Sequence, residues 1–398
     1  MELHNIARLS PISDSGARVL LFSTRNLNNH VAQGQRYEFE DVIAGADNVD
    51  VIAPQRPVER SESRIVRYRN RFLGYQRSPI DGEMRLNKNY DLFVAMIPNR
   101  WGLRFLQCIK GLHERCRKFV CLFDELRPED AARFSHSDLE LMRSFDCIFL
   151  NVECGVDATK HLTRRLPQFM PFGIDALSFC PYPNNPTRGI DVLSMGRRPA
   201  GMHRALLAAA EQDGKFYMYD TVSNFSVIDQ REHRSLLSNT IKRSRYFIAY
   251  PGKFDDGAPQ VMLGNRFYEG AAGGAILLGQ GAANTPYERF FDWPDAVLST
   301  PADGSEIVEL IADLDGQPAR LARIRRDNVI NMLLRYDWVY RWRQILETVD
   351  LPLSQGILER EGRLRHFAHL VNAESVCAKA VDNSLPRFPH GHPPQPMN

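Results

Sequence analysis

Short apolar runs alternate with helical patterns along this chain, stop at a proline-rich stretch, and then begin again. Runs of strand length occur at 18–23, 49–53, 91–96, 118–123, 147–150 and 168–171. They are largely apolar instead of alternating with polar residues, so these strands are expected to be buried on both faces. Helical patterns lie between them near 36–44, 102–113, 137–144 and 156–162. Strands of this kind separated by helices predict a parallel sheet with crossover helices. Residues 181–188, rich in Pro and Asn, read as a linker. The pattern then restarts, with strands at 191–194, 216–219, 245–249, 275–278 and 296–298. Helices fall at 203–211, 231–242, 266–272 and 304–314. Two doubly wound α/β units, 1–180 and 189–334, would face each other across a cleft. Ligands of open α/β sheets sit at the carboxyl ends of the strands.

A long helical tract is expected over 318–349. Tyr336, Val339, Trp342, Ile345 and Val349 recur at three- or four-residue spacing as a buried stripe, with Arg335, Arg341 and Arg343 left for the wet side. Residues 335–383 read as a crossing helix and a helical extension, with one more helix near 357–379. The last segment, 384–398, holds five prolines and two histidines and reads as a mobile tail.

Composition narrows the partners. Fifty basic residues against 48 acidic ones give no overall pull toward nucleic acid or an anionic membrane. No apolar run approaches ~18 residues, so no membrane span is expected, and residues 1–15 carry no secretory pattern. Seven scattered cysteines without Cys-x-x-Cys argue against a disulfide scaffold or a zinc site. A cytoplasmic protein is expected, with a peripheral membrane position left open. Residues 64–77 carry five arginines and three aromatics. They read as a solvated face, or as a membrane, acceptor or partner contact.

The segment 264–278 is the most specific one chemically. It reads as a short helix, a Gly-Gly stop and a buried strand. Asn265 would cap the helix, and Gly273 and Gly274 would end it. An exposed helix start offers unpaired N–H groups and the positive end of a dipole, which suits a phosphate. Glu269, about one turn further in, would repel a phosphate but could accept hydrogen bonds from two neighbouring hydroxyls, as on a ribose. Phosphate plus ribose means a nucleotide. The alternative is a helix that only packs closely through its small residues. Upstream, Ile190 to Ser194 is a strand leading into Gly196-Arg197-Arg198. The glycine lets backbone approach a ligand, and guanidinium groups fit a diphosphate. The alternative there is a solvated arginine pair.

A third segment, Pro171-Phe172-Gly173-Ile174-Asp175 followed by Phe179 and Pro181, closes the first unit. Together the three resemble the GT-B glycosyltransferases, specifically the family-4-like group-1 enzymes that include CgeB-type proteins. The resemblance covers about 146–349; before that, only the α/β alternation is shared. It implies a GT-B fold whose C-terminal helix crosses back to the first domain. It also implies transfer of a sugar from a nucleoside-diphosphate donor, such as a UDP- or GDP-sugar, to an acceptor hydroxyl, with retention and without metal. The acceptor could be a glycan, a lipid-linked glycan, a protein or a small molecule, as in polysaccharide biosynthesis. Glu269 matches the second Glu of the family's Glu-x7-Glu motif, which holds the ribose. The first falls on Val261, a departure that leaves the donor sugar open. Arg197 matches the Gly-Arg that helps bind the diphosphate, while Met202 stands where the family has a Lys, with His203 or Arg204 as substitutes for it.

The expected donor residues are thus Arg197, Arg198, Asn265, Arg266 and Glu269, with no metal ligands and no cofactor beyond the sugar nucleotide. On the first unit, Asp124 and Glu125 close a strand and could supply a general base or an acceptor ligand; a helix cap or buried ion pair is the alternative. The long polar loop 26–36 also sits at the cleft and could contact the acceptor or the donor phosphate. Asp313-Leu314-Asp315 and Asp255-Asp256 are weak metal signals. No Gly-x-Gly-x-x-Gly, Walker loop or Gly-x-Ser-x-Gly is present. The competing functions are a nucleotide-sugar epimerase or hydrolase, which would need flanking acid and base groups, and a catalytically silent scaffold. Modification of nucleic acid is disfavoured by the charge balance.

Overall fold

Two parallel sheets form, and both run in the same strand order. The computed structural model describes residues 6–7, 16–54, 84–124, 126, 130, 133–163, 165–196, 198–221, 226–251, 263–280 and 289–382. The first sheet contains β1 (Ile6–Ala7), β2 (Val19–Phe22), β3 (Val49–Ile52), β5 (Tyr90–Ile97), β7 (Cys116–Phe123), β8 (Cys147–Leu150) and β9 (Gln168–Phe169), in the order β1-β3-β2-β5-β7-β8-β9. A small pair, β4 (Met84–Arg85) and β6 (Ile109–Lys110), stands apart. The second sheet contains β10 (Ile190–Ser194), β11 (Tyr217–Tyr219), β12 (Ser244–Ala249), β13 (Ile276–Gly279) and β14 (Leu298–Ser299), in the order β11-β10-β12-β13-β14. All pairings are parallel except that of the edge strand β1. In each sheet the order reverses next to the first parallel strand. The two crevices favoured for ligands therefore lie outside the carboxyl ends of β2/β5 and of β10/β12.

Doubly apolar strands explain the layering. Along β5, Leu92, Val94 and Met96 enter one core while Phe93, Ala95 and Ile97 enter another on the opposite face. The longer helices are α1 (Gly34–Ala46), α2 (His136–Ser144), α3 (Ala200–Asp213), α4 (Gln230–Lys242), α5 (Asn265–Ala272), α6 (Ile307–Asp315), α7 (Pro318–Asn331), α8 (Trp338–Thr348) and α9 (Gln355–Asp382). The core holding Leu92 and Val94 continues into the second unit through Leu193, Phe247 and Leu277. Trp338, Trp342 and Ile345 of α8, with Val349 just after it, complete it. The fold is thus two Rossmann-like units with a C-terminal helical segment returning to the first. Trp338 stacks on Phe39 of α1 at 4.6 Å, and Trp342 Nε1 donates to Asp47 at 3.1 Å.

Three expectations are corrected. The helix expected over 102–113 is broken into the turns Leu103–Leu106 and Leu112–Arg115 with β6 between them. Gly111, at φ 83°, takes a left-handed conformation that a helix interior excludes. The tract 318–349 is likewise not one helix. After α7 the chain makes a π turn over Met332–Tyr336, and Asp337 leaves helical geometry to cap α8 through Val339 N at 2.9 Å. The same carboxylate takes Ala176 N at 3.0 Å and Arg360 at 2.8 Å, so the break is anchored to the end of the first unit and to α9. Arg341 is buried, not wet, and donates to the carbonyls of Pro171 and Phe172.

Trp338 links these parts, being 2% exposed and bonded through Nε1 to Glu38 at 2.9 Å. Trp338→Ala is expected to cost about 3–5 kcal/mol of unfolding free energy. Urea unfolding checks this, and a cost below ~1 kcal/mol would refute the returning segment as part of the core.

Candidate active site

Helix α5 opens at the carboxyl edge of the second sheet, because it leads from the end of parallel β12 back to the start of β13. Its N-cap is Gly264, not Asn265, and no side chain caps it. Asn265 is the first helical residue, and its Oδ1 is buried with no hydrogen-bond partner among the described residues. A helix start of this kind, with no side-chain cap among the described residues, suits an anion. At the other end Ala275 N bonds Gly270 O and Gly274 N bonds Ala271 O, with Gly274 at φ 66°, the glycine stop expected from the sequence.

Gly196, just past β10, has φ 71°, and a Cβ there would run into the Arg266 guanidinium. The strand end of β10 and the first turn of α5 thus meet side by side, bringing Gly196, Asn265 and Arg266 together. Arg197 lies outside the described residues. Arg198, expected to face a diphosphate, is engaged otherwise. It pairs with the Asp220 carboxylate, donates to Asp220 O at 2.7 Å, and lies over the Tyr219 ring. Asp220 also accepts from Gly196 N at 2.8 Å, so Arg198 holds the glycine turn in shape.

A residue holding a ribose would be read as facing an open cleft, but Glu269 is enclosed. It is 7% exposed, and its Oε1 accepts from Arg234 Nη1. Arg234, on α4, donates through Nε to Glu38 of α1 at 2.7 Å. The other Glu38 oxygen accepts from Asp175 N at 2.7 Å and from Trp338 Nε1. Burial works against charge on Arg234, but Glu38 and Glu269 outweigh it and raise its pKa. Burial pushes the Glu38 carboxyl above its ordinary value, opposed by Arg234. Along the flank of this junction α1, α4 and α9 enclose a groove of about 610 Å³, lined by Arg234, Ser238, Lys242 and Arg360 among others.

On the first unit, Asp124 follows β7 and pairs with Arg36 of α1, which also donates to Thr24 Oγ1 at 3.2 Å. Thr24 lies just past the end of β2, so this cluster occupies the first crevice. Of the two readings for Asp124, the ion pair is present. Glu125 lies outside the described residues, as do Val261, Asp255, Asp256, 64–77 and 384–398. The loop 26–36 does reach across the cleft: His30 bridges to Ser226, Val227 N bonds Asn29 O at 2.9 Å, and Gln230 Nε2 bonds Asn29 O at 3.0 Å. Asp315 is taken up by Arg245 and by Tyr246 OH at 2.7 Å. No cluster of three His, Cys, Asp or Glu suited to a metal occurs among the described residues.

Glu38 and Arg234 were not singled out in the sequence. The available signal was the density of charge in 36–41, where Arg36, Glu38 and Glu40 all fall in a helix buried on nearly every side.

Residues 203–347 match the family model described as glycosyl transferase-like. The match begins in α3 and ends in α8, so it covers most of the second unit. Among solved structures, this chain resembles a putative UDP-N-acetylglucosamine 2-epimerase from Listeria monocytogenes, with 10% identity over 84% of this chain and 96% of that one, at a TM-score of 0.42. It also resembles another UDP-N-acetylglucosamine 2-epimerase, with 9% identity over 85% and 99% of the chains, at 0.42. A third is described as the glycotransferase of kitacinnamycin, with 9% identity over 85% and 100%, at 0.37. No curated protein sequence matches significantly. No helix among the described residues is long and apolar enough to cross a membrane.

Two predictions follow from this geometry. Gly196→Ala forces a left-handed alanine, at about 1–2 kcal/mol, and displaces Arg266. Its melting temperature and its affinity for nucleoside diphosphates should both fall, and unchanged values in differential scanning and titration calorimetry would refute the close approach. His233, on α4 beside Arg234, has its pKa lowered below 6.5 by burial and then by the Arg234 charge. A depressed folded value means that its stabilising contribution is present above pH ~6.5 and is lost as the pH falls through the folded value. Urea midpoints should drop between pH 7 and pH 5, and less so in His233→Asn. An equal drop in both proteins would exclude His233 as a source.

Proposed function

We propose that the protein is a nucleotide-sugar-dependent glycosyltransferase. The observation that carries this reading is the uncapped start of α5 beside Gly196 and Arg266, with Glu269 one turn further in. The glycosyl transferase-like match spans the same helix. The donor diphosphate would lie against the α5 N–H groups and Arg266, joined by Arg197, with the ribose at Glu269. Arg198 acts behind them by holding the turn. The sugar C1–O bond to the diphosphate breaks, the acceptor oxygen bonds to C1, and the acceptor proton passes to the released diphosphate or to Asp124. Fixed positive groups aimed at the leaving diphosphate lower the barrier without reorganising, and the cleft holds the acceptor in line. Arginine and a helix dipole can supply this charge without a metal. Retention of configuration and membership of the CgeB-type branch rest on the resemblance at Pro171–Asp175, Gly196-Arg197 and Glu269.

The test is incubation with a panel of UDP- and GDP-sugars, with and without an acceptor library, reading released nucleoside diphosphate. Release that requires acceptor is expected. Release without acceptor would favour a hydrolase, isomerised donor an epimerase, and binding without turnover a silent scaffold. Binding and turnover should survive EDTA; activity lost in chelator and restored by Mg²⁺ or Mn²⁺ would overturn the metal-free reading.

Glu269→Ala should weaken nucleoside diphosphate binding by about one to two orders of magnitude, from hydroxyl bonds to a charged acceptor. Because the carboxylate is buried against Arg234, the melting temperature should fall as well. Unchanged affinity in titration calorimetry would remove the ribose assignment.

A further inference from the structure

The ribose side of this reading leaves one polar group unexplained. Arg234 is 8% exposed, and its Nη2 is buried with no hydrogen-bond partner among the described residues. Its Nε and Nη1 are held by Glu38 and Glu269. A buried donor left unpaired is costly, and such groups in folded proteins call for a partner. The guanidinium is planar with its five donors in a fixed fork, so once Nε and Nη1 are fixed, Nη2 is fixed between them, adjacent to the Glu269 carboxylate. A group that donates to Glu269 can therefore accept from Arg234 Nη2 at the same time. Asn265 and Glu269 are four residues apart and share a face of α5, and Asn265 Oδ1 is likewise buried and unpartnered. The unsatisfied atoms near Glu269 thus include one donor and one acceptor, a complement suited to hydroxyls, which both donate and accept. Three buried carboxylate and guanidinium groups in series hold this arrangement before any ligand arrives.

We propose that Arg234 completes a ribose-diol subsite, with Nη2 donating to a ribose hydroxyl oxygen whose proton is taken by Glu269. This rests on the nucleotide reading of the site and adds a residue that distinguishes ribonucleotides from deoxyribonucleotides. Glu38, from the opposite unit, is a positioning residue: it fixes the guanidinium plane through Nε and touches no ligand.

The test is a selectivity ratio. The tightest binder among ADP, GDP, CDP and UDP is titrated into the wild-type protein beside its 2′-deoxy and 3′-deoxy forms. The same set is titrated into Arg234→Lys and Glu38→Gln, with melting curves for each. Lysine keeps the positive charge between Glu38 and Glu269 but loses the fork. The wild type is expected to prefer the ribonucleotide by at least about tenfold over one deoxy form, the worth of a hydrogen bond to a charged group. Arg234→Lys should shrink that preference by about tenfold, and Glu38→Gln should shrink it in part. If Arg234 serves only to hold the units together, the melting temperature falls, ribo and deoxy forms weaken equally and the ratio stays. That result overturns the proposal while leaving the nucleotide site intact. An anion bound in the flank groove would also leave the ratio unchanged, and no affinity for any nucleoside diphosphate in the wild type overturns both readings together.

Discussion

One buried carboxylate ties three separate parts of this molecule to α1. Glu38 receives hydrogen bonds from the segment closing the first unit at Asp175 N, from α8 at Trp338 Nε1 and from α4 at Arg234 Nε. Each donor belongs to a different part of the chain, and none is adjacent to α1 in sequence. Taking the carboxylate out of water is unfavourable by itself, and three donors make it tolerable. The energetic consequence is asymmetric: the pair contributes little compared with an apolar contact, whereas losing any one donor leaves charge stranded. An interface built this way specifies one mutual placement of the units and tolerates few others.

The same relay ends on the helix that would receive the donor. Arg234 passes the restraint from Glu38 to Glu269, so a residue of the first unit sets the position of a carboxylate in the second. Elsewhere along the interface the polar groups are consumed by each other, as at Asp175–Arg360–Asp337 and Arg231–Asp41. Near α5, Arg234 Nη2 and Asn265 Oδ1 are buried with no hydrogen-bond partner among the described residues.

Much of the architecture was legible because buried parallel strands announce themselves. Tyr90–Ile97 and Cys116–Phe123 are apolar on both faces, and only a sheet covered on both sides explains that. The α8 stripe through Val339, Trp342 and Ile345 was readable for the same reason. What was hidden were residues whose partners come from distant parts of the chain. Periodicity cannot tell an arginine facing water from one facing another unit, so Arg234 and Arg341 looked alike to any solvated charge. The break at Asp337 was masked by apolar spacing that runs straight through it, although an Asp directly before a new helical turn is a capping signal. At the site, the glycine stop of α5 and the position of Glu269 in its helix were legible. That Glu269 would be buried was not, because its partner lies 35 residues away.

The π turn ending at Tyr336 and the capping Asp337 place two distant parts of the chain in register. Ile174 N bonds Tyr336 O at 2.9 Å, and Trp338 N bonds Ile174 O at 3.1 Å. The path out of the first unit and the path back into it therefore run as a short parallel ladder. Topologically the second unit is an insertion into the first, entered and left through one doorway. Its two ends are neighbours, the geometry under which whole domains are exchanged between proteins without disturbing the host. A scaffold so arranged can keep its first unit and trade its second as a cassette.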